Sequence, residues 1–364
     1  MANEWSAVVN TTTAKYLRGA ADLTIRERIV FAMMNRRKRI SYNHSGTEVK
    51  QQVKFALPEV EPYAGGAIDF EPSDKYRQLT LDWRGYKVKD TMTEKERLMN
   101  RGVPALINRY AQIMKDMRQS LEDQFGAEVF NDGGTNTDRL DGIETFMGTG
   151  TTADGDAIAQ PSDTYGGLST TLGGVAGTWS SDLSTYPNAN AETDWPSGSG
   201  DTEYDFLSPR CMNFSSSSAW GTGASTWLAN CERVIRKAIL WTRLGTGKTN
   251  RTELCLLADD LYYDYMNKQE AKQRIIVPYK EVQDLGFDGA KQEGVSIVTE
   301  YGITPSRGYL WNMDKCELRC MYGQLFVPRG PERDIRTDSY LFLMGFFGNL
   351  VFQPKFFSKF LAYA

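Results

Sequence analysis

The chain has 364 residues, 41% of them hydrophobic and 24% charged, with a net charge of −4. That length allows two or three domains, or one domain with large excursions. The acidic balance excludes a protein whose main task is gripping nucleic acid, which calls for a basic excess. His44 is the lone histidine, which removes most zinc sites, nucleophile–base pairs and proton shuttles. An enzyme built on this chain would rely on carboxylates or lysine. The five cysteines, Cys211, Cys231, Cys255, Cys316 and Cys320, are odd in number and suggest no secretory disulfide framework. The opening residues lack a basic stretch followed by an apolar one, so no signal peptide is expected.

In chain order, residues 15–36 read as a helix, with Leu17, Ala20, Ala21, Ile25, Ile29 and Met33 on an apolar stripe. It ends in Arg36, Arg37, Lys38 and Arg39. These cations suit a helix C-terminus, or form a basic arm that meets an acidic neighbour. Residues 47–90 change period. Val49, Gln51, Val53 and Phe55 alternate, as do Leu79, Leu81 and Trp83, which predicts two strands. Between them runs "ALPEVEPYAGGAIDFEPSDKY", an excursion broken by Pro58, Pro62, Gly65, Gly66 and Pro72. A two-stranded ribbon is marginal alone in water, so this one needs a surface to lie on.

Thr93 and Glu96 form a capping box. Leu106, Tyr110, Ile113, Met117, Leu121 and Phe125 then step by three or four, the stripe of a long helix. Pro104 kinks it or opens its second part, and Gly126 is the expected terminator. Residues 131–225 are rich in Gly, Ser and Thr but carry scattered aromatics, and read as the loop-rich part of a domain. From 225 the chain predicts a helix to Gly245, a buried strand in 253–259 and a helix over 260–274. Strands follow in "GVSIVTEY", "RGYLWNM", "KCELRCMYG" and "SYLFLMGFF". This order indicates an α+β or α/β arrangement.

Short motifs carry little chemistry. "LGTGKTN" matches the end of a phosphate loop, but Thr242 stands where its first glycine belongs, and it follows a helix instead of a strand. It reads as a turn. Cys316 and Cys320 share one face of a strand and read as core residues. Asp259, Asp260 and Asp264 could bind a divalent cation or act as acid and base, but capping of the following helix is favoured. The apolar run 341–352 has 12 residues and contains Asn349, too short for a spanning helix of about 20 residues. No membrane partner and no cofactor are expected.

The order of parts resembles the major capsid proteins of tailed bacteriophages, the Hong Kong ninety-seven fold. "MNRGVPALINRYAQIMKDMRQSLEDQFGAEVFNDGG" resembles the spine helix of that family and its following turn. "DRLDGIETFMG" and "DTYGGLST" resemble central segments. "LCLLADDLYYDYMN", "RGYLWNMDKCELRC" and "LFLMGFFGNLVFQPKFFSKF" resemble its late strand, helix and closing strands.

The resemblance implies an α+β fold. It has an N-terminal arm (1–45), an extended loop (46–90), a peripheral domain with the spine helix (91–130 and 339–364) and an axial domain (131–338). It implies a structural protein, not an enzyme, that assembles with itself into hexamers and pentamers of an icosahedral shell around double-stranded DNA. Scaffolding, portal and decoration proteins are the other partners implied, and the virion, assembled in the host cytoplasm, is the location. A bacterial nanocompartment shell and a carboxylate-dependent soluble enzyme are the alternatives.

Candidate inter-subunit residues are Arg36, Arg37 and Arg39 in the arm and Tyr63, Phe70 and Trp83 in the excursion. The peripheral core is expected to join Leu106, Tyr110, Ile113, Met117, Leu121 and Phe125 to Leu350 and Phe352. Some members of that family crosslink subunits through a lysine and an asparagine, and Lys54, Lys75 and Asn349 are residues of those types.

Overall fold

The computed structural model describes residues 28–54, 65, 75–99, 109–148, 158–159, 163–170, 207, 209–242, 252–270 and 290–362. Helix α1 (Ile29–Arg36) leads into strand β1 (Ile40–His44). Strands β2 (Glu48–Lys54) and β3 (Tyr76–Asp82) flank the excursion. Strand β4 (Arg84–Thr93), the short helix α2 (Glu94–Met99) and the long helix α3 (Arg109–Glu128) follow. The capping box forms as expected: Thr93 N–H donates to Glu96 Oε2 at 3.1 Å, and Glu96 N–H to Thr93 Oγ1 at 3.2 Å. Pro104 and Leu106 lie outside the described residues.

Short strands β5 (Ile158–Ala159), β6 (Thr164–Tyr165) and β7 (Leu168–Ser169) precede β8 (Arg210–Asn213). Helices α4 (Ser217–Trp220) and α5 (Trp227–Thr242), strand β9 (Leu254–Leu257) and helix α6 (Asp259–Glu270) come next. Strands β10 (Ala290–Gln292), β11 (Val295–Thr299), β12 (Gly308–Trp311), β13 (Cys316–Met321), β14 (Val327–Asp334), β15 (Ser339–Phe352) and β16 (Ser358–Leu361) complete the chain. Of the period-two segments, 49–54 and 78–82 fall on β2 and β3; Phe55 lies outside the described residues and Trp83 falls between β3 and β4.

Two sheets carry the molecule. In the first, β15 is the central strand. It pairs antiparallel with β4 over 339–348, with β14 over 339–345 and with β13 over 348–352. β1 adds to β13 in parallel. The second has seven strands in the order β10-β11-β9-β12-β16-β8-β5, with α5 and α6 packed on it through Trp227, Val234, Ile235, Leu261 and Tyr265. β13 and β14, expected on the axial side of residue 338, thus share a sheet with the closing strand. β16, expected in the peripheral part, lies in the second sheet.

The apolar end of the chain forms two closing strands, the long β15 and the short β16, as expected. Along β15, Phe342, Met344, Phe346, Leu350 and Phe352 are buried. Phe342 and Met344 meet Ile113, Met117 and Leu121 of α3, so the helix stripe covers this sheet. Phe346 meets Phe125 at 5.8 Å between ring centroids. Phe352 meets Phe146, Trp311 and Phe357 at 5.3, 5.6 and 5.4 Å, mostly edge to face, the arrangement the ring quadrupoles favour. Trp311 belongs to the second sheet, so this cluster joins the two.

Helix α3 does not stop at Gly126 but runs on to Glu128. The glycine has a packing reason instead: a Cβ there would stand 2.4 Å from Cδ of Arg28. The helix end is held by Glu128, fully buried, which accepts from Arg139 Nε at 2.9 Å and Nη2 at 2.7 Å and from Gln124 Nε2 at 2.6 Å. A buried carboxylate needs such partners.

Truncating Phe352 to alanine should cost about 3–5 kcal/mol, because the surrounding rings belong to both sheets and cannot collapse into the void. Leu341→Ala, at a position 40% exposed on the same strand, should stay within about 1 kcal/mol. Urea unfolding of the two variants checks the contrast.

Candidate assembly site

The ribbon β2–β3 is a sheet of its own, paired without a bulge from Glu48↔Asp82 to Lys54↔Tyr76. Its inner face buries Val49, Leu79 and Leu81. Thr80 N–H donates to Gly166 O at 3.0 Å, which pins the ribbon to the turn between β6 and β7. Trp83 is half-buried and donates from Nε1 to Gly46 O at 3.0 Å, closing the base of the ribbon. The other face presents Lys50, Gln52, Lys54, Tyr76 and Gln78, all exposed. Tyr63 and Phe70 lie outside the described residues.

The arm residues are engaged within the chain. Arg37 pairs with Glu253 just before β9, and Arg39 with Asp314 before β13. Arg36 ends α1 and is exposed. The basic run thus holds α1 against both sheets, which its spacing alone did not reveal. Residues 1–27 of the expected arm helix are outside the described residues.

Arg28 is a residue the sequence did not single out. It is buried, donating from Nη2 to Asp123 O at 2.9 Å and from Nη1 to Tyr301 O. Its Nε stands 3.6 Å from Asp123 Oδ1. Gly126 and Gly302 form its socket; Gly302 has φ +108° and would put a Cβ 3.2 Å from Arg28 Nη1. Beside it, Glu300 Oε2 accepts from Val30 N–H at 3.3 Å in the first turn of α1, while Oε1 is buried without a hydrogen-bond partner. Burial pushes the Glu300 carboxyl up to about 8, and the Val30 amide and the Arg28 charge oppose that rise. The only legible sign of this junction was a glycine inside an apolar helical stripe.

Asn349 is not available for crosslinking. It is fully buried; its amide donates to Asp82 O at 2.8 Å and to Asp141 Oδ2 at 2.6 Å, and its oxygen accepts from Asp141 N–H at 3.1 Å. Burial raises the Asp141 carboxyl above its usual range, and the bond from Asn349 counters this. Glu144, another carboxylate near the core, accepts from Arg307 at 3.2 Å, from Lys359 at 2.6 Å and from the Tyr309 hydroxyl, tying its turn to the second sheet.

The remaining motifs resolve into packing. All five cysteines are buried. Asp259 and Asp260 open α6, and Asp260 Oδ2 accepts from Ser306 N–H at 2.8 Å and Oγ at 2.9 Å. The "GTGKT" segment lies outside the described residues. Among those described, no group of three His, Cys, Asp or Glu residues is placed to hold a metal ion, and no helix is long and apolar enough to cross a membrane.

Of the expected peripheral core, Ile113, Met117, Leu121, Phe125, Leu350 and Phe352 are all buried, but Ile113, Met117 and Leu121 pack on Phe342 and Met344, while Leu350 and Phe352 lie in the cluster that contains Phe125 and Trp311. Tyr110 lies in the first turn of α3.

The Glu300 carboxyl sets a direction for stability against pH. The folded chain retains a proton that the unfolded chain releases, so stability falls as pH rises from the ordinary carboxylate range to about 8. Glu300→Gln should remove that slope and gain most over the parent at pH 9. Urea midpoints of both chains between pH 5 and 9 check it; parallel curves would contradict it.

No protein-family model matches the sequence, and no curated protein matches it either. Solved structures do. The capsid asymmetric unit of cyanophage A-1(L) superposes with a TM-score of 0.56 at 14% identity, covering 95% of this chain and 96% of that one. The capsid of cyanophage P-SCSP1u gives 0.56 at 11% identity, covering 98% and 94%. The capsid of an empty GTA particle gives 0.54 at 11% identity, covering 100% and 98%. The chain has the α+β fold of these capsid structures, the Hong Kong ninety-seven type.

Proposed function

We propose that this chain is a major capsid protein, a structural subunit that assembles with itself into the icosahedral shell of a tailed bacteriophage. The observation that carries the reading is the end-to-end likeness to cyanophage capsid structures, with almost no residue of either chain left over. A protein that shares only a core motif with a shell subunit would leave unmatched domains.

The physical chemistry agrees. The ribbon is a two-stranded sheet of its own that lies on the body by one face, and its other face, with Lys50, Gln52, Lys54, Tyr76 and Gln78, is open to a neighbouring copy. β14 is a sheet edge, and it carries the devices that block uncontrolled pairing: Pro328, Pro331, a register shift between Arg329 and Glu332, and alternating charges. An assembling subunit needs both, one surface open to its own kind and the edges elsewhere closed. The net charge of −4 suits a wall that contains DNA without trapping it.

In this reading residues 1–45 form the arm and 46–90 the extended loop over a neighbour. Residues 91–130 and 339–352 build the peripheral part, joined by β13 and β14, and the rest of 131–338, together with β16, forms the axial part around the second sheet. Hexamers and pentamers form the shell in the virion, which is assembled in the host cytoplasm. A scaffolding protein, a portal, decoration proteins and packaged double-stranded DNA are its partners.

Negative-stain microscopy and sedimentation test this, on the chain alone and co-expressed with the proteins encoded beside its gene. Closed shells, or rings of five and six, are expected. A monodisperse monomer in both preparations would contradict the proposal.

A further inference from the structure

A cavity of about 360 Å³ lies between the ribbon and the turn at Gln353–Phe356. Small-molecule sites run from about 300 to 1,000 Å³, so this one has room for an organic ligand. Three lysines from three elements line it: Lys54 at the end of β2, Lys315 before β13 and Lys355 in the turn. No carboxylate is among its described lining residues. The acidic side chains that flank Lys315 in sequence are held elsewhere, Asp314 by Arg39 and Glu317 by Arg319. The described wall is thus cationic. Ammonium groups gathered round one cavity repel one another, and an anion seated among them relieves that repulsion.

The rest of the wall asks for more than an inorganic ion. Lys315 is positioned by the Phe356 ring, with Nζ 4.6 Å from its centroid, and the Lys315 carbonyl accepts from Gln353 N–H at 3.1 Å. Val53, Leu207 and Pro354 add apolar surface. Gln51 also lines the cavity, and its Oε1 is buried without a hydrogen-bond partner. A buried acceptor left in that state costs stability, so the site gains from a ligand with an N–H to give.

Three features of one ligand follow: phosphate charge at one end, a flat body with apolar faces, and an N–H donor on that body. We propose that the cavity is a nucleotide site. The lysines hold the phosphates of a nucleoside diphosphate, the apolar wall receives the ring, and the exocyclic amine of the base donates to Gln51 Oε1. An inorganic phosphate would leave most of the volume empty and the apolar wall uncovered. The backbone of duplex DNA brings charge but no ring, because its bases are stacked and paired. The site is built within one chain and does not depend on the shell reading.

Calorimetric titration of the full chain with ADP tests the proposal. Saturable binding of one ADP per chain is expected. Pyrophosphate, which lacks the ring, should bind at least about tenfold more weakly, since a buried ring contributes apolar area that the ion does not have. Joint replacement Lys315→Gln and Lys355→Gln should weaken ADP by about tenfold or more, with the urea midpoint unchanged. Where that variant does not fold, Lys54→Gln, at an exposed position, takes its place. Gln51→Leu should weaken ADP and leave pyrophosphate unaffected, a split that a purely electrostatic site does not produce.

Absence of binding at millimolar ADP would overturn the proposal. So would pyrophosphate binding as tightly as ADP, which would make the cavity a general anion site. Duplex DNA bound in place of ADP, and lost with the same lysines, would assign the cavity to nucleic-acid backbone and overturn it as well.

Discussion

The structure depends on one strand. β15 is hydrogen-bonded along both edges, to β4 on one side and to β14 and then β13 on the other, so no backbone group along most of its 14 residues faces water. Its side chains bury against α3 at one end and, through Phe352, against Trp311 and Phe357 of the second sheet at the other. A strand enclosed in this way cannot shift register without exposing large aromatics, which fixes how the two sheets meet. Asn349 looks out of place in so apolar a run. It is satisfied by Asp141 and the Asp82 carbonyl, and by that means it ties β15 to the base of the ribbon and to the turn after α3.

Outside this frame, apolar side chains seat each element, Ile29, Val30, Met33 and Met34 in the case of α1, and charged contacts orient it. α1 is fixed by Arg28 in its glycine socket, by Arg37 on Glu253 and by Arg39 on Asp314. The turn at Glu144 is fixed by Arg307 and Lys359. Such contacts are specific in geometry but weaker than the aromatic core. The ribbon is tied to the body by one buried face and Gly166, with its remaining surface directed outward.

The sequence displayed the parts that obey a period. The alternation in 47–83, the helical stripe ending at Phe125, the Thr93–Glu96 box and the late strands were all legible, because each is a local pattern with a local cause. What escaped was non-local. Gly126 read as a helix stop because glycine usually is one; only Arg28, 98 positions earlier, explains it. The arginines after α1 read as a helix C-terminus or an outward arm because their carboxylates, Glu253 and Asp314, are more than 200 residues away. The placement of β13 and β14 in the sheet of β15, and of β16 in the other, follows from strand pairing that no single segment encodes.

The central claim is that a rigid body built on β15 leaves the ribbon to be completed by another copy. Hydrogen–deuterium exchange, run on the free chain and on assembled particles, tests it most directly. Amides of 339–352 should be strongly protected in both, while those of 48–54 and 76–82 should exchange rapidly in the free chain and become protected only in the particle. A ribbon equally protected in both states would contradict the account, because it would mean that the chain completes that surface by itself.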